Sequence, residues 1–288
     1  MNDIFAGTWV ARAALADGPA VLLGRDGRTG RALVDGRGFP DLPELIEASG
    51  ADWQHIDMGE DVDLDAGRLL SAVGRPGRIL CAGLNYTAHA EEAGQPVGAH
   101  PVIFPKWHSA LTGPYASIPL PPESEFVDWE AELAVVIGKN CRRVSREDTG
   151  SVVFGYTATN DVSMRDFQNH SSQHGPGKSW DAATPLGPVV APLPVADPAQ
   201  VDLLLEGLLN GEVVQSTRTS DMAHDVAALI SYVSTWMTLE PGDVILTGTP
   251  GGVGLSFSPQ RRLIEGDAFE VRLEGVGSLR NTFYVEEC

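Results

Sequence analysis

Apolar positions along the chain come in short runs broken by Gly, Pro and Asp, the pattern of many strands and few helices. In residues 1–74, Pro19–Leu23 and Arg31–Val34 read as strands, and Pro40–Glu47 reads as a helix start with Asp41 in the N-cap position. This stretch predicts a small N-terminal accessory domain. The Gly74–Gly77 segment reads as a linker, leaving residues 75–288 for a larger second domain. There, Ile79–Ala82, Pro101–Pro105, Thr184–Ala191 and Asp202–Asn210 read as strands. Pro241–Thr249 reads as a turn and a strand ending in a Gly-rich loop. The stretch Ser220–Trp236 places Val226, Leu229, Ile230 and Val233 at helical spacing, which predicts a helix packed on a sheet. Together these elements predict a mixed α/β, β-rich fold whose sheet curls on itself.

The run Trp129–Ile137 is short, β-branched and ended by Gly138, so it reads as a buried strand, yet it contains Glu130 and Glu132. Side chains two apart on a strand share a face, so both carboxylates enter the same space. Burying like charges together is costly unless something positive compensates them. A hard divalent cation with oxygen ligands is one solution, and Asp161, in the apolar stretch Val152–Asp161, offers a third ligand. Pairing with Arg or Lys, or a solvated sheet face, are the other solutions. His89 and Glu92 are three apart. If residues 88–93 are helical they share a face, and Glu92 can orient the imidazole.

The composition narrows the classes. With 288 residues, a net charge of −19 and no basic footprint, the chain is a poor partner for nucleic acid. An anionic substrate would need local positive charge. Cys81, Cys141 and Cys288 lack zinc or redox spacing and suit a reducing cytoplasm. The first residues show neither a basic nor a long apolar segment, so no signal peptide is expected, and no run approaches the ~20 residues of a membrane span.

The segments Gly83–His89, Asp128–Gly138, Gly155–Gln168, Gly177–Ser179, Pro185–Pro188, Leu209–Glu212 and Ile245–Pro250 together resemble the fumarylacetoacetate hydrolase family, in the family's order and from residue 78 onward. The resemblance implies a β-sheet roll, a homodimer, and chemistry on 2-oxo or 2,4-dioxo acids. It implies Mg²⁺ or Mn²⁺, with Ca²⁺ a further option, held by Glu130, Glu132 and Asp161. It also implies that His89 acts as general base oriented by Glu92, and that Lys178 donates to the developing oxyanion or the substrate carboxylate. Arg165 and Gln168 then contact substrate or orient ligands, Arg165 having Glu130 as an alternative partner. Thr249 and its loop suit a carboxylate, and Tyr86 and Lys106 are further pocket candidates.

The leading expectation is hydrolysis of a C–C bond in an acylpyruvate-like 2,4-dioxo acid. The alternatives are decarboxylation of an oxaloacetate-like acid and isomerisation of a 2-hydroxy-diene-dioate. A binding protein without catalysis is expected only if a ligand or the His–Glu pair were missing, and neither is. Relatives often carry an aromatic residue before the Gly-Lys-Ser element, where this chain has His174-Gly-Pro-Gly. The remaining histidines, His174 among them, read mostly as surface or packing residues.

Overall fold

A computed structural model describes residues 7–63, 65, 68–192 and 197–287. Cys288 and the first five residues, the latter read above for a signal, lie outside the described residues. The N-terminal elements are β1 (Trp9–Leu15), β2 (Gly18–Arg25), β3 (Arg28–Val34), β4 (Arg37–Gly38), α1 (Leu42–Ser49) and β5 (Asp57–Asp61). Next come β6 (Ile79–Gly83), α2 (Thr87–Glu92), β7 (Val102–Lys106), β8 (Leu111–Thr112), β9 (Ser117–Leu120), β10 (Val127–Asp128), β11 (Ala131–Ile137) and β12 (Val153–Asn160). They are followed by β13 (Ser163–Met164), α3 (Arg165–Gln168), α4 (Gly175–Lys178), β14 (Thr184–Ala191), β15 (Leu204–Leu209) and β16 (Glu212–Arg218). The last are α5 (Val226–Trp236), β17 (Val244–Leu246), β18 (Ala268–Leu273) and β19 (Gly277–Val285).

The largest sheet runs β4-β3-β2-β1-β14-β12-β11-β17-β6-β7. In it β5 also pairs with β3 and β8 with β14; a five-stranded sheet, β16-β15-β18-β19-β9, and the short pair β10-β13 hold the other strands. β11 is buried along its whole length, which explains why its sequence is a near-continuous apolar run. Its alternate residues feed two cores. Leu133, Val135 and Ile137 pack with Phe269, Val271 and Leu205 of the five-stranded sheet. Ala134 and Val136 pack with Leu42, Leu45 and Ile46 of α1 and with Val10 of β1. Glu130 and Glu132 share the parity of Ala134 and Val136, so their side chains leave the sheet on that second side.

The N-terminal strands are not detached from the rest: Val10 of β1 pairs with Val190 of β14, and the α1 core includes Ile79, Val244 and Leu246. Asp41 stands at the N-cap of α1 as expected, but its carboxylate makes no capping hydrogen bond and pairs with Arg12 at 2.7 Å. The predicted helix from Ser220 begins instead at Val226. Asp225 caps it by accepting the N–H of Ala228, while Thr219–Asp221 form a separate single turn. Among the described residues, no helix is long and apolar enough to cross a membrane.

Candidate metal centre and acid–base site

The centre forms where β11 and β12 end together. Asp161 follows β12, and its N–H donates to the Glu130 carbonyl at 2.9 Å. The Glu130 N–H donates to the side chain of Asn160 at 2.8 Å, which extends the ladder one residue beyond β11. One carboxylate oxygen from each of Glu130, Glu132 and Asp161 lies within 4.8 Å of the others. All three residues are buried.

Three cations reach this cluster from other elements. Lys178 of α4 donates to Glu130 Oε2 at 2.6 Å and to Asp161 Oδ2 at 2.9 Å. Lys106, the last residue of β7, pairs with the other oxygen of Asp161. Arg165 of α3 donates to Glu130 Oε1 at 2.7 Å, to Asp128 Oδ2 at 2.8 Å and to the Gln168 carbonyl at 3.0 Å. Gly177 lets α4 close onto α3, since a Cβ there would lie 2.5 Å from Gln168 Cβ. Asp128 accepts the N–H groups of Trp129, Gly254 and Leu255, and so fixes Arg165 to the loop after β17.

Glu132 differs from its neighbours. Among the described residues no Lys or Arg is ion-paired with it, and its Oε2 accepts only the Gly248 N–H, at 2.8 Å. Burial, and then the charges of Asp161 and Glu130, push its carboxyl well above the usual range. Burial acts the same way on Glu130, but Lys178 and Arg165 outweigh it and hold that carboxyl below its usual value. Lys178 is held above its usual value: Asp161 and Glu130 outweigh the effect of burial. Three hard oxygen donors converge here, and one of them lacks a cation partner. Such a donor set fits a divalent cation such as Mg²⁺ or Mn²⁺.

α2 covers the centre. His89 is largely buried, and its Nδ1 has no hydrogen-bond partner. Burial, with Arg165 and Lys178, holds the imidazole below its usual value, so the neutral form is favoured. Glu92 Oε2 lies 3.8 Å from Nδ1, too far for a hydrogen bond, and both Glu92 oxygens accept the Gly252 N–H at 3.0 Å. Gly252 sits at φ +93°, and a Cβ there would lie 2.0 Å from the Val214 carbonyl.

A cavity of about 340 Å³ joins these groups. Its wall includes His89, Glu92, Glu130, Glu132, Asp161, Arg165, Gln168, Lys178 and Thr249, nine of the eleven residues expected at the site; Lys106 stands behind Asp161, outside the wall. Tyr86 is buried in the core and lines a neighbouring cavity beyond Glu92. The Thr249 hydroxyl donates to the Ala131 carbonyl at 3.1 Å and accepts from Gln215 at 2.9 Å, so it ties the loop to β11. Asp128, Gln215 and His174 belong to the site and were not expected there. Asp128 has the parity of Glu130 and Glu132, a period-two signal present in the sequence.

The description "Fumarylacetoacetate (FAA) hydrolase C-terminal" matches residues 78–284. The mitochondrial oxaloacetate tautomerase FAHD2A of Bos taurus is 44% identical over 215 residues, covering 74% of this chain and 68% of that protein. Among solved structures, the fumarylacetoacetate hydrolase of psychrophilic Exiguobacterium antarcticum superposes with a TM-score of 0.83 at 33% identity, covering 97% of this chain and all of the other. The 2-hydroxyhepta-2,4-diene-1,7-dioate isomerase of Mycobacterium marinum gives 0.75 at 33% identity, covering 98% of this chain and all of the other. With a β-rich sheet architecture shared along nearly its whole length and a buried Glu-x-Glu and Asp cluster at its centre, the chain belongs to the fumarylacetoacetate hydrolase family.

Proposed function

We propose that the protein is a divalent-cation-dependent tautomerase or isomerase of a 2-oxo acid, moving a proton between the carbon beside the oxo group and the oxo oxygen. One observation carries this reading. A buried, neutral-favouring His89 with an unpartnered ring nitrogen shares a cavity with the three carboxylates and Lys178. Relatives named as an oxaloacetate tautomerase and a hydroxy-diene-dioate isomerase support it.

Glu130, Glu132 and Asp161 would hold the cation, which when bound supplies Lewis-acid polarisation of the oxo oxygen. His89 takes the proton from the carbon, and the electron pair of the C–H bond becomes the C=C bond of an enolate. Glu92 stabilises the resulting imidazolium once it turns from Gly252 towards Nδ1. Lys178 spends two of its three N–H donors on Glu130 and Asp161, leaving one for the enolate oxygen. The imidazolium then returns the proton to that oxygen, or to carbon in the reverse direction.

The test follows the ultraviolet absorbance of enol-oxaloacetate as it ketonises, with Mg²⁺ and with a chelator. Chelator-sensitive acceleration lost in His89→Gln is expected; acceleration equal with and without His89 would refute the role. A second reading, hydrolysis of an acylpyruvate, is favoured by the His89–Glu92 spacing, which suits activation of water. Chelator-sensitive release of pyruvate and a carboxylic acid from acetylpyruvate would select it.

A further inference from the structure

His174 read as a packing histidine, yet it lines the same cavity as Lys178. It stands at the N-cap of α4, four residues before Lys178, so the two side chains lie one turn apart on one side. Phe104 of β7 touches both: Lys178 Nζ is 5.8 Å from its ring centroid, and the His174 ring meets it edge-on at 5.1 Å. Lys178 is turned to Glu130 and Asp161, while His174 Nδ1 is shielded and has no hydrogen-bond partner. With Nδ1 closed off, a ligand in the cavity can meet the ring only through its other nitrogen, Nε2. The other polar groups of the wall near α3 and α2 include the charged Arg165 and Glu92 and the amides of Gln168, Asn169 and Gln95. A histidine one turn from the lysine at the acidic cluster can donate to a second hydrogen-bond acceptor on a ligand held there.

We propose that His174 determines specificity by donating a hydrogen bond to a second carboxylate, so that the cavity takes a 2-oxo dicarboxylate in preference to its monocarboxylate counterpart. A neutral imidazole has one N–H and can donate in either tautomer. The proposal rests on the reading above that the cavity takes a 2-oxo acid, and it adds the residue that recognises the distal end.

Its test measures binding rather than turnover, so that it can fail separately from the tautomerase reading. Mg²⁺-loaded protein is titrated by calorimetry with 2-oxoglutarate and with 2-oxopentanoate, which differ only in a terminal carboxylate replaced by methyl. A hydrogen bond to a charged group predicts a preference of about tenfold or more for the dicarboxylate. His174→Phe keeps a ring against Phe104 and should bring the two affinities nearly together by weakening 2-oxoglutarate binding. His174→Gln, which restores a donor, should recover much of the preference. Equal affinities in the wild type, an unchanged preference in His174→Phe, or no binding of either acid would overturn the assignment. A His174-dependent preference without any tautomerase activity would uphold it and refute the proposed reaction instead.

Discussion

Glu132 and Lys178 touch the same cluster, and their neutralisation should affect stability very differently. Four buried carboxylates, Asp128, Glu130, Glu132 and Asp161, face three buried cations, Lys106, Arg165 and Lys178. Lys178→Met leaves Glu130 and Asp161 each without one partner, and breaking a buried pair costs about 3–5 kcal/mol. At roughly 2–4 °C per kcal/mol, the metal-free melting temperature should fall by roughly 6–20 °C. Glu132→Gln removes the one carboxylate with no cation partner, and the glutamine carbonyl can still accept the Gly248 N–H. It should cost the metal-free protein less than about 1 kcal/mol and can stabilise it, because a buried like charge is gone. Cation binding should reverse the order. Wild type at a hundred times the dissociation constant gains about 2.7 kcal/mol, and Glu132→Gln should lose most of that gain. Thermal melts with a chelator and with Mg²⁺ or Mn²⁺ measure both effects. A metal-free Glu132→Gln protein as destabilised as Lys178→Met, or one that keeps the full cation-induced shift, would refute this account of the cluster.

His89→Gln should lower turnover by about 10²–10⁴ while leaving the cation-induced melting shift intact, as kinetics and melts on one preparation can check. Because burial depresses the His89 value, the base is lost only as pH falls through a point below 6.5, and the acid limb of the kcat/KM profile should lie there. Gly252→Ala forces a Cβ into the Val214 carbonyl and moves the N–H that holds Glu92, so turnover and melting temperature should both fall. Thr249→Val removes an internal tie and leaves the Gln215 amide one partner short. A melting loss of about 1–3 kcal/mol with little change in KM is expected, and the opposite split would make Thr249 a substrate contact.

Local periodicity carried much of the site. Glu130 and Glu132 were legible because a strand alternates, and their parity holds even though β11 begins one residue after Glu130. His89 and Glu92 were legible because Thr87–Glu92 is helical, which sets an i, i+3 pair on one face. What Glu92 does was not legible: its donor, Gly252, lies 160 residues away in sequence and reaches it only through the turn after β17. His174 failed for the same reason, since its meaning depends on Phe104 of a distant edge strand. The start of α5 was misplaced because Ser220 resembles a cap, whereas Asp225 makes the capping bond.

The charge pattern also bears on how a strongly acidic chain could serve the anionic substrate proposed above. A net charge of −19 gives no long-range attraction for an anion, and the local cations are already committed. Arg165 is divided between Asp128, Glu130 and Gln168 with its Nη2 left unpartnered, Lys106 is paired with Asp161, and Lys178 has one donor to spare. These cations make the buried carboxylates tolerable, and only the spare donors of Lys178 and Arg165 Nη2 face a ligand as well. On the proposed function, a divalent cation on the carboxylates would add the positive charge a substrate carboxylate needs, so substrate affinity and cation affinity should be linked by the same residues. Glu132 is the hinge of that linkage, because its charge is the one the protein's own cations leave uncompensated.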